Sequence, residues 1–450
     1  MSERIGIVGG GLLGLSLADR LQKLGQAVTV FEAAPHFGGL ASAWKLGDIT
    51  WDRFYHVILL SDSHTHALLK DLDLSSEFVG VETKTGFYTD GKLYSMSNSV
   101  EFLKFPPLGL LSKLRLGLTI RHASKVTDWK ALEKIPVVEW LRKWSGNRTT
   151  EKIWLPLLRA KLGESYRIAS AAFIWATIAR LYAARRSGMK KELFGYVRGG
   201  YATIVDRFTS NLRERGVELI AGTPVSTVGG GTGVSAVRNP RTGETAVPPD
   251  SNCRLELATG EVREFDRVIV TSAPALAAKL VPGLSAEESA ALNDLTYQGI
   301  VCASLLLKKP LSRFYVTNLT DDWFPFTGVI EMTALVDPAE FGGRTLVYLP
   351  KYVAPDDPLF AESDDSIRER FLTALERMHP EFRRSDVLAF QLAKVKHVFA
   401  VPTLNYSERV PDMKTSLSGV YLVNSSHIIN GTLNVNETLQ LAEQAVGRIA

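Results

Sequence analysis

Three glycines near the start of the chain have the spacing of a phosphate-binding turn. Gly9, Gly11 and Gly14 form the pattern Gly-x-Gly-x-x-Gly directly after an apolar run. In such a turn the first glycine permits a tight bend, the second lets a pyrophosphate approach bare backbone, and the third lets a helix pack closely against a strand. Because free amides and the positive end of the helix dipole then face the phosphates, the pattern predicts nucleotide binding.

The elements around this turn fit a strand, helix, strand unit. Residues 5–8 are apolar, as in a buried parallel strand, and the leucines of residues 13–24 share one face of a helix that ends at Gly25. A second strand over residues 27–31 ends at Glu32, whose carboxylate is placed to accept hydrogen bonds from a ribose. A carboxylate would repel a 2′-phosphate, so FAD and NAD are the dinucleotides that remain.

A second glycine pair follows the ribose acid. Residues 35–42 read Pro-His-Phe-Gly-Gly-Leu-Ala-Ser, with the pair at Gly38 and Gly39, and a plain NAD unit does not need it. Here the chain resembles the superfamily of flavin amine oxidases, protoporphyrinogen oxidases and phytoene desaturases, in which a Gly-Gly signature passes along the FAD. Relatives often carry arginines on both sides of the signature. This sequence has His36 and Leu40 there, so an arginine contact to the pyrophosphate is lost or comes from elsewhere.

The resemblance extends to later segments and implies further contacts with FAD. In relatives a residue at the position of Val225 meets the adenine through its backbone, and a strand that ends near Ser272 closes the sheet beside the cofactor. Relatives usually have Gly-Asp after the strand at 419–423, with the aspartate bonding the ribityl chain; here Asn424-Ser425 stands in, and its amide or hydroxyl can still form a hydrogen bond. The expected FAD contacts are Gly9, Gly11, Leu12, Leu13, Gly14, Glu32, Ala33, Gly38, Gly39, Leu40, Ala41, Val225, Ser272, Asn424, Asn434, Val435 and Asn436.

His56 is the candidate for a catalytic side chain beside the flavin ring. Relatives often read Asp-x-Gly-x-His in this place; Asp52 and His56 match the two ends of the pattern, and Phe54 replaces its glycine. The resemblance implies that His56 orients the substrate or tunes the flavin. The alternative is a hydrogen-bonded histidine of the core.

The basic residues are concentrated in one part of the chain. The net charge of all 450 residues is +4, but residues 101–191 contain 19 Lys and Arg against 6 Asp and Glu. No known nucleic-acid module accompanies this excess, so we expect no nucleic-acid partner. An anionic membrane surface or an anionic small molecule fits the excess better.

Residues 102–125 combine leucines at helical spacing with interspersed cations. A helix of this kind either covers a core or lies on an anionic membrane surface. The leucines are Leu110, Leu111, Leu114 and Leu118, and the cations are Lys113, Arg115, Arg121 and Lys125.

Other sequence features bear on location and metal binding. No stretch reaches the ~18 uninterrupted apolar residues of a membrane span, and the first strand begins within five residues of Met1, which leaves no room for a signal peptide. We therefore expect a cytoplasmic protein, with peripheral attachment to the inner face of a membrane as an open alternative. Cys253 and Cys302 are far apart in sequence, so neither a disulfide framework nor a metal site is expected.

The chain is long enough for two domains, and its pattern predicts an α/β fold. A Rossmann-like FAD-binding domain, with a central parallel sheet and a β-meander, is expected to comprise residues 1–55, 195–290 and 410–450. A discontinuous α+β substrate domain is expected to comprise residues 56–194 and 291–409. Its helical part is the basic insert 101–191, and strand-like runs at 301–307, 327–332 and 345–350 form its sheet.

Three functions follow from these observations. The first is an FAD-dependent oxidoreductase, of the dehydrogenase, oxidase or desaturase type, that takes a hydride from a lipophilic substrate to flavin N5. The second is a non-redox flavoenzyme resembling UDP-galactopyranose mutase, in which arginines of the insert would clamp a sugar nucleotide. The third is a lipid-binding carrier resembling Rab GDP-dissociation inhibitors, against which the intact glycine turn counts. The candidate substrate residues are Arg198, Tyr201, Arg185 and Arg186.

Overall fold

A computed structural model describes residues 2–186, 193–230 and 252–449, and side chains within the helix that ends at residue 186 are described as far as residue 180. The hairpin turns that the sequence predicts at 229–233 and 248–249 lie largely outside these residues.

The amino-terminal elements are β1 (Arg4–Val8), α1 (Leu12–Lys23), β2 (Ala27–Phe31), β3 (Ala43–Leu46), β4 (Ile49–Asp52), β5 (Ile58–Leu59), α2 (Ser63–Asp71), β6 (Phe78–Glu82), β7 (Thr85–Thr89) and β8 (Lys92–Ser95).

The next stretch is helical, and mixed structure follows it. The helices are α3 (Ser99–Lys104), α4 (Leu110–Ala123), α5 (Trp129–Glu133), α6 (Val137–Ser145), α7 (Asn147–Thr149), α8 (Leu155–Leu162) and α9 (Ala171–Arg186). The remaining elements are β9 (Leu193–Val197), α10 (Gly200–Glu214), β10 (Glu218–Ile220), β11 (Val225–Gly229), β12 (Cys253–Leu257), β13 (Val262–Phe265), β14 (Arg267–Val270), α11 (Pro274–Leu280), α12 (Ala286–Asp294), β15 (Tyr297–Leu307), β16 (Val316–Leu319), β17 (Gly328–Glu331), β18 (Thr345–Val353), α13 (Asp364–Met378), β19 (Val387–Ala400), α14 (Tyr406–Arg409), β20 (Val420–Leu422) and α15 (Val435–Ile449).

A parallel sheet in the order β10-β2-β1-β14-β20 carries the phosphate turn. Its strands come from both ends and the middle of the chain, and Ile7 of β1 lies in register with Val30 and Ile269. These three side chains are fully buried, because α1, α10 and α15 cover the face of the sheet from which they project. The predicted Rossmann-like α/β fold is confirmed. The predicted leucine face of the first helix is one residue too long, since Leu24 caps α1 and is exposed.

The antiparallel meander β11-β12-β13 packs beside this sheet. Phe265 of the meander makes an edge-to-face contact with Phe31, with ring centroids 5.9 Å apart. The meander thereby fixes β11, and with it Val225, next to the end of β2.

A second, mixed sheet in the order β19-β15-β18-β17-β16-β7-β8 forms the other half of the molecule. The sequence predicts β15, β17 and β18 within this sheet but not β19, which pairs along nearly all of β15. It also misses α13, although Ile367, Phe371 and Leu375 recur at helical spacing and are buried. Helices of the insert share a core with this sheet, in which Trp140 and Leu162 pack with Tyr348.

Glu331 is a buried carboxyl group in this second sheet and should make stability depend on pH. Its oxygens accept hydrogen bonds from the Ser312 amide (2.8 Å) and the Leu311 amide (3.2 Å), yet burial raises its pKa to about 7. A carboxyl group whose pKa is higher in the folded than in the unfolded state holds its proton more tightly when folded. Its contribution to stability is therefore present below the unfolded pKa and is lost as the pH rises through 7.

We expect Glu331→Gln to remove this pH dependence. At pH 8 ionisation of the wild-type side chain should lower the free energy of unfolding by up to about 3 kcal/mol relative to pH 5. The Tm of the variant minus that of wild type should therefore rise from pH 5 to pH 8. Thermal unfolding at both pH values measures it. The exposed Glu287→Gln is the control and should show a constant difference. A Tm difference for Glu331→Gln that is equally constant would contradict the assignment.

Candidate active site

The phosphate turn has the backbone geometry that its glycines allow. Gly9 has a φ of 112°, a left-handed value that favours glycine, and its amide donates to the carbonyl of Phe31 (2.8 Å). A Cβ atom on Gly14 would overlap the carbonyl oxygen of Gly9, whereas a Cβ on Gly11 would meet only the Cα of Gly39, at 3.8 Å. Helix α1 can thus begin directly against the turn, with its first amides turned toward the space next to Gly11.

Glu32 ties the end of β2 to this turn. One carboxylate oxygen accepts a hydrogen bond from the amide of Gly10 (2.7 Å), and the other accepts one from the amide of Ala34 (2.9 Å). Each oxygen can accept more than one hydrogen bond, so both keep capacity for a ribose. The sequence predicts only the ribose contact, while the structure adds this positioning of the backbone.

A single cavity of about 810 Å³ runs along the turn and continues to the second sheet. Its volume lies within the range of small-molecule and cofactor sites. Residues from distant parts of the chain meet in its wall. The predicted site residues that line it are Gly9, Gly11, Leu12, Leu13, Glu32, Ala33, Gly38, Leu40, Ala41, His56, Val225, Ser272, Asn434 and Val435.

Two predicted ribityl-side asparagines lie outside the cavity wall. The oxygen of Asn424 accepts hydrogen bonds from the amide (3.0 Å) and hydroxyl (2.7 Å) of Ser426, and its side chain is buried. Asn436 accepts from the amides of His64 (2.9 Å) and Thr65 (3.3 Å). Both asparagines therefore stabilise backbone turns, and Ser425 lines the cavity in place of Asn424.

Gly14 and Gly39 also lie outside the wall, but they allow the backbone segments that form it to pack closely. Gly14 permits the close approach of α1, and a Cβ on Gly39 would lie 3.1 Å from the Cα of Gly11. These two positions act through backbone packing rather than through contact with a ligand.

Two of the predicted substrate residues, Arg198 and Tyr201, lie outside the wall of the main cavity. Arg198 forms an ion pair with Glu77 (3.5 Å) and lines a separate cavity, and Tyr201 is buried outside the main cavity. Arg185 and Arg186 belong to α9, but their side chains lie outside the described residues. The proposed contact of these residues with a substrate stays a prediction.

Tyr201 instead supports His56. Its ring packs on the imidazole with centroids 4.8 Å apart, and its amide donates to Asp52 (2.8 Å). Nδ1 of His56 lies 3.6 Å from the Asp52 carboxylate, and burial raises the pKa of that carboxyl group. The imidazole faces the cavity, held between the tyrosine ring and the buried acid. The alternative of a core histidine describes only part of this position, because the His56 side chain is packed and His56 also lines the cavity.

A second polar group in the wall was not predicted from the sequence. Lys161 of α8 donates a hydrogen bond to the Tyr352 hydroxyl (2.8 Å), which lies 2.9 Å from the Tyr55 hydroxyl. All three side chains line the cavity, and burial lowers the pKa of the Lys161 ammonium group. The sequence offers no signal for this group, because Lys161 is one of many cations in the insert and Tyr352 is 191 residues away.

The wall offers the features that a flavin dinucleotide requires. The bare backbone at Gly11 leaves room for phosphates, and the carboxylate of Glu32 retains acceptors for a ribose. Ser272 lines the cavity, and its hydroxyl is a buried group without a hydrogen-bond partner among the described residues. A bound ligand would satisfy such a group, because an unpaired buried hydroxyl costs free energy. The residues present thus fit the cofactor.

We expect Gly14→Ala to abolish flavin binding. The added methyl group must displace α1 or the Gly9 carbonyl, so flavin content should fall by more than about tenfold and the free energy of unfolding by several kcal/mol. The matched control is Gly117→Ala, since Gly117 is also helical but has open space around it. That variant should keep wild-type flavin content, measured by visible absorption per protein. Full flavin content in Gly14→Ala would show that the turn does not hold the cofactor.

Comparison with known proteins agrees with this geometry. The family model described as flavin containing amine oxidoreductase matches residues 14–449. Protoporphyrinogen oxidase 2, chloroplastic/mitochondrial, from Arabidopsis thaliana is 28% identical over 140 residues, which cover 30% of this chain and 28% of that protein. This match therefore spans less than a third of the relative.

Two solved structures share the fold over nearly their whole length. An engineered variant of putrescine oxidase has a TM-score of 0.74 at 15% identity, covering 100% of this chain and 99% of that one. Reduced UDP-galactopyranose mutase has a TM-score of 0.71 at 14% identity, covering 99% and 96%. At such identities the likeness is one of fold. Because the family model spans almost the entire sequence, the chain belongs to the flavin-containing amine oxidoreductase family and is a flavin-dependent oxidoreductase, as its motifs predict.

Proposed function

We propose that this protein binds FAD and oxidises a lipophilic small molecule. The observation that carries the proposal is the continuity of one cavity from the phosphate turn at Gly9 to the His56 side chain and the aromatic residues of the second sheet. A dinucleotide whose phosphates lie at the turn would extend toward the part of the cavity where His56 and a substrate could meet it. Cofactor and substrate would then share one continuous cavity.

Residues of three chain segments would hold FAD. The Gly9 to Gly14 turn supports the pyrophosphate, Glu32 the ribose, and the backbone at Val225 the adenine. Ser272 and Ser425 line the same cavity, and in this proposal Ser425 is the member of the Asn424-Ser425 pair that meets the ribityl chain. In this proposal residues 1–55, 195–290 and 410–450 form the FAD-binding domain, and residues 56–194 and 291–409 form the substrate domain.

The substrate end of the cavity favours apolar molecules. Phe54, Phe194, Ile300, Val398 and Phe399 contribute to its wall, and such side chains exclude water and stabilise apolar groups by burial. The flavin, when bound, supplies a two-electron acceptor for a hydride from the substrate.

His56 would orient the substrate. Its ring is fixed by Tyr201 and Asp52, so a bound molecule meets an imidazole that is already in place. Such pre-positioning lowers the entropic cost of reaching a reactive geometry.

The non-redox alternative has less support. A sugar nucleotide needs cations for its diphosphate, and Arg180 is a described arginine that lines the cavity. Its guanidinium group is already paired with the buried carboxylate of Asp62 at 3.1 Å from both oxygens. The likeness to UDP-galactopyranose mutase is one of fold, and the experiment below separates the two reactions. A lipid carrier without flavin would fail the same experiment, because it would be colourless.

We also propose that α4 rests on an anionic membrane surface. Leu110, Leu111, Leu114 and Leu118 are between 51% and 79% exposed, which is unusual for four leucines on one helix. Leu103 of α3 is exposed beside them, as are the cations Lys104, Arg121 and Lys125. Apolar burial and attraction to anionic lipids would act together here. No helix within the described residues is long and apolar enough to cross a bilayer. Surface attachment at the inner face of a membrane therefore remains the proposal.

The redox proposal is tested by anaerobic reduction. We expect the purified protein to be yellow, to release FAD on denaturation, and to lose its flavin absorption when mixed with its substrate in the absence of dithionite. A panel of apolar alcohols, amines and carboxylic acids, together with UDP-galactose, provides the test compounds. His56→Ala should slow bleaching at least about tenfold, while the exposed His36→Ala should not change it.

Two results would contradict this proposal. One is conversion of UDP-galactose that begins only after dithionite reduces the flavin, which would support the mutase reaction. The other is a colourless protein from which no flavin is released, which would support a carrier.

The membrane proposal is tested by sedimentation with vesicles containing 30% phosphatidylserine. The protein should sediment with them at low salt and be released at high salt, because salt screens the attraction between basic residues and anionic lipid. The double variant Leu110→Ser/Leu111→Ser should reduce the bound fraction several-fold. Val262→Ser/Leu388→Ser removes two exposed apolar side chains elsewhere and is the matched control. Equal binding of both double variants would rule out α4 as the contact.

A further inference from the structure

Lys161 is a partly buried cation in the wall of the cavity, among aromatic side chains. Its ammonium group donates to the Tyr352 hydroxyl and lies over two aromatic rings, 4.2 Å from the Tyr352 centroid and 5.1 Å from that of Phe399. It occupies the last turn of α8, where the helix dipole favours a positive charge. These contacts stabilise the ammonium group only in part, since an ammonium group has three N–H donors.

No carboxylate compensates this charge within the described part of the chain. The ionisable groups that act on Lys161 are Tyr55 and Arg180, and burial lowers the pKa of the lysine. The acids that line or flank the same end of the cavity are already engaged. Asp62 pairs with Arg180, and Asp52 lies against His56. Glu437 interacts with this Arg180–Asp62 pair and not with Lys161, so the lysine has no carboxylate partner among the described residues.

Two tyrosines continue the hydrogen bond of Lys161 as a chain of donors. Lys161 donates to Tyr352, whose hydroxyl is 2.9 Å from that of Tyr55. When Tyr352 donates onward, the Tyr55 hydroxyl keeps its own hydrogen for an acceptor in the cavity. Burial raises the pKa of both phenols, so they remain neutral donors at physiological pH.

We propose that Lys161, Tyr352 and Tyr55 form the recognition site for a carboxylate carried by an apolar substrate. A carboxylate would supply the missing negative charge and the acceptor atoms in one group, and charge-assisted hydrogen bonds are the stronger ones. The aromatic and aliphatic wall around it would bury the remainder of the molecule. A protonated amine would be repelled at the same position. This inference rests on the proposed function, because it places the substrate in the cavity beside the flavin.

Binding of three probes that differ in one group tests the inference. The probes are 4-phenylbutanoate, 4-phenylbutan-1-ol and 4-phenylbutan-1-amine, titrated calorimetrically into the flavin-loaded protein. We expect the carboxylate to bind at least about tenfold more tightly than the alcohol, and the amine to bind most weakly. Because calorimetry requires no turnover, a failure of this test is distinct from a failure of flavin reduction.

Lys161→Met should abolish the preference by weakening carboxylate binding to the level of the alcohol, while alcohol binding stays within about twofold. Tyr55→Phe removes one hydroxyl group and should weaken carboxylate binding alone by a smaller factor. Lys351→Met is the matched control: Lys351 precedes Tyr352 on β18, is also partly buried, and does not line the cavity. Flavin content and Tm establish that each variant is folded.

Two outcomes would overturn the inference. The first is wild-type protein that binds the amine or the alcohol as tightly as the carboxylate. The second is a carboxylate preference that survives in folded Lys161→Met, which would show that another group recognises the anion.

Discussion

The close approach of α1 to the end of β1 is the constraint on which the cofactor half of the molecule depends. Because Gly14 has no side chain, the helix begins directly against the carbonyl of Gly9. The turn between them can then form hydrogen bonds with two other segments: the Gly10 amide donates to Glu32 (2.7 Å), and the Gly10 carbonyl accepts from the Gly38 amide (2.9 Å). One backbone contact therefore organises the phosphate turn, the ribose acid and the second glycine pair as a single wall.

Charge compensation organises the opposite end of the cavity. Burying an isolated charge is expensive, so buried acids and bases in proteins are normally paired. Asp62 follows this rule with Arg180, and Asp52 lies within ion-pair distance of His56. Lys161 departs from it, since its contacts are hydroxyl and aromatic groups. A binding cavity that leaves a cation without an acidic partner is a place where an anionic ligand can neutralise the charge.

The basic insert combines two different surfaces in one helical layer. α4 turns Leu110 and Leu114 outward, while its Leu116 and the Trp140 of α6 join the core beneath. α8 turns Lys161 inward to the cavity. The cations of the insert therefore serve different surfaces: some are exposed beside apolar residues, and at least one is partly buried in the cavity wall.

The sequence by itself determined the parts of this protein that arise from short-range patterns. The turn, the helix after it and Glu32 lie within about thirty residues, and their order defines their geometry because strand, helix and turn preferences are local. The tertiary structure decided which neighbour faces the cavity, as when Ser425 rather than Asn424 lines the wall, because a small rotation of the backbone exchanges adjacent side chains. It also decided the pairing of Lys161 with Tyr352, which depends on the packing of α8 against β18. Such long-range contacts leave no periodic trace in a single sequence, since each partner is separately compatible with a surface or a core position.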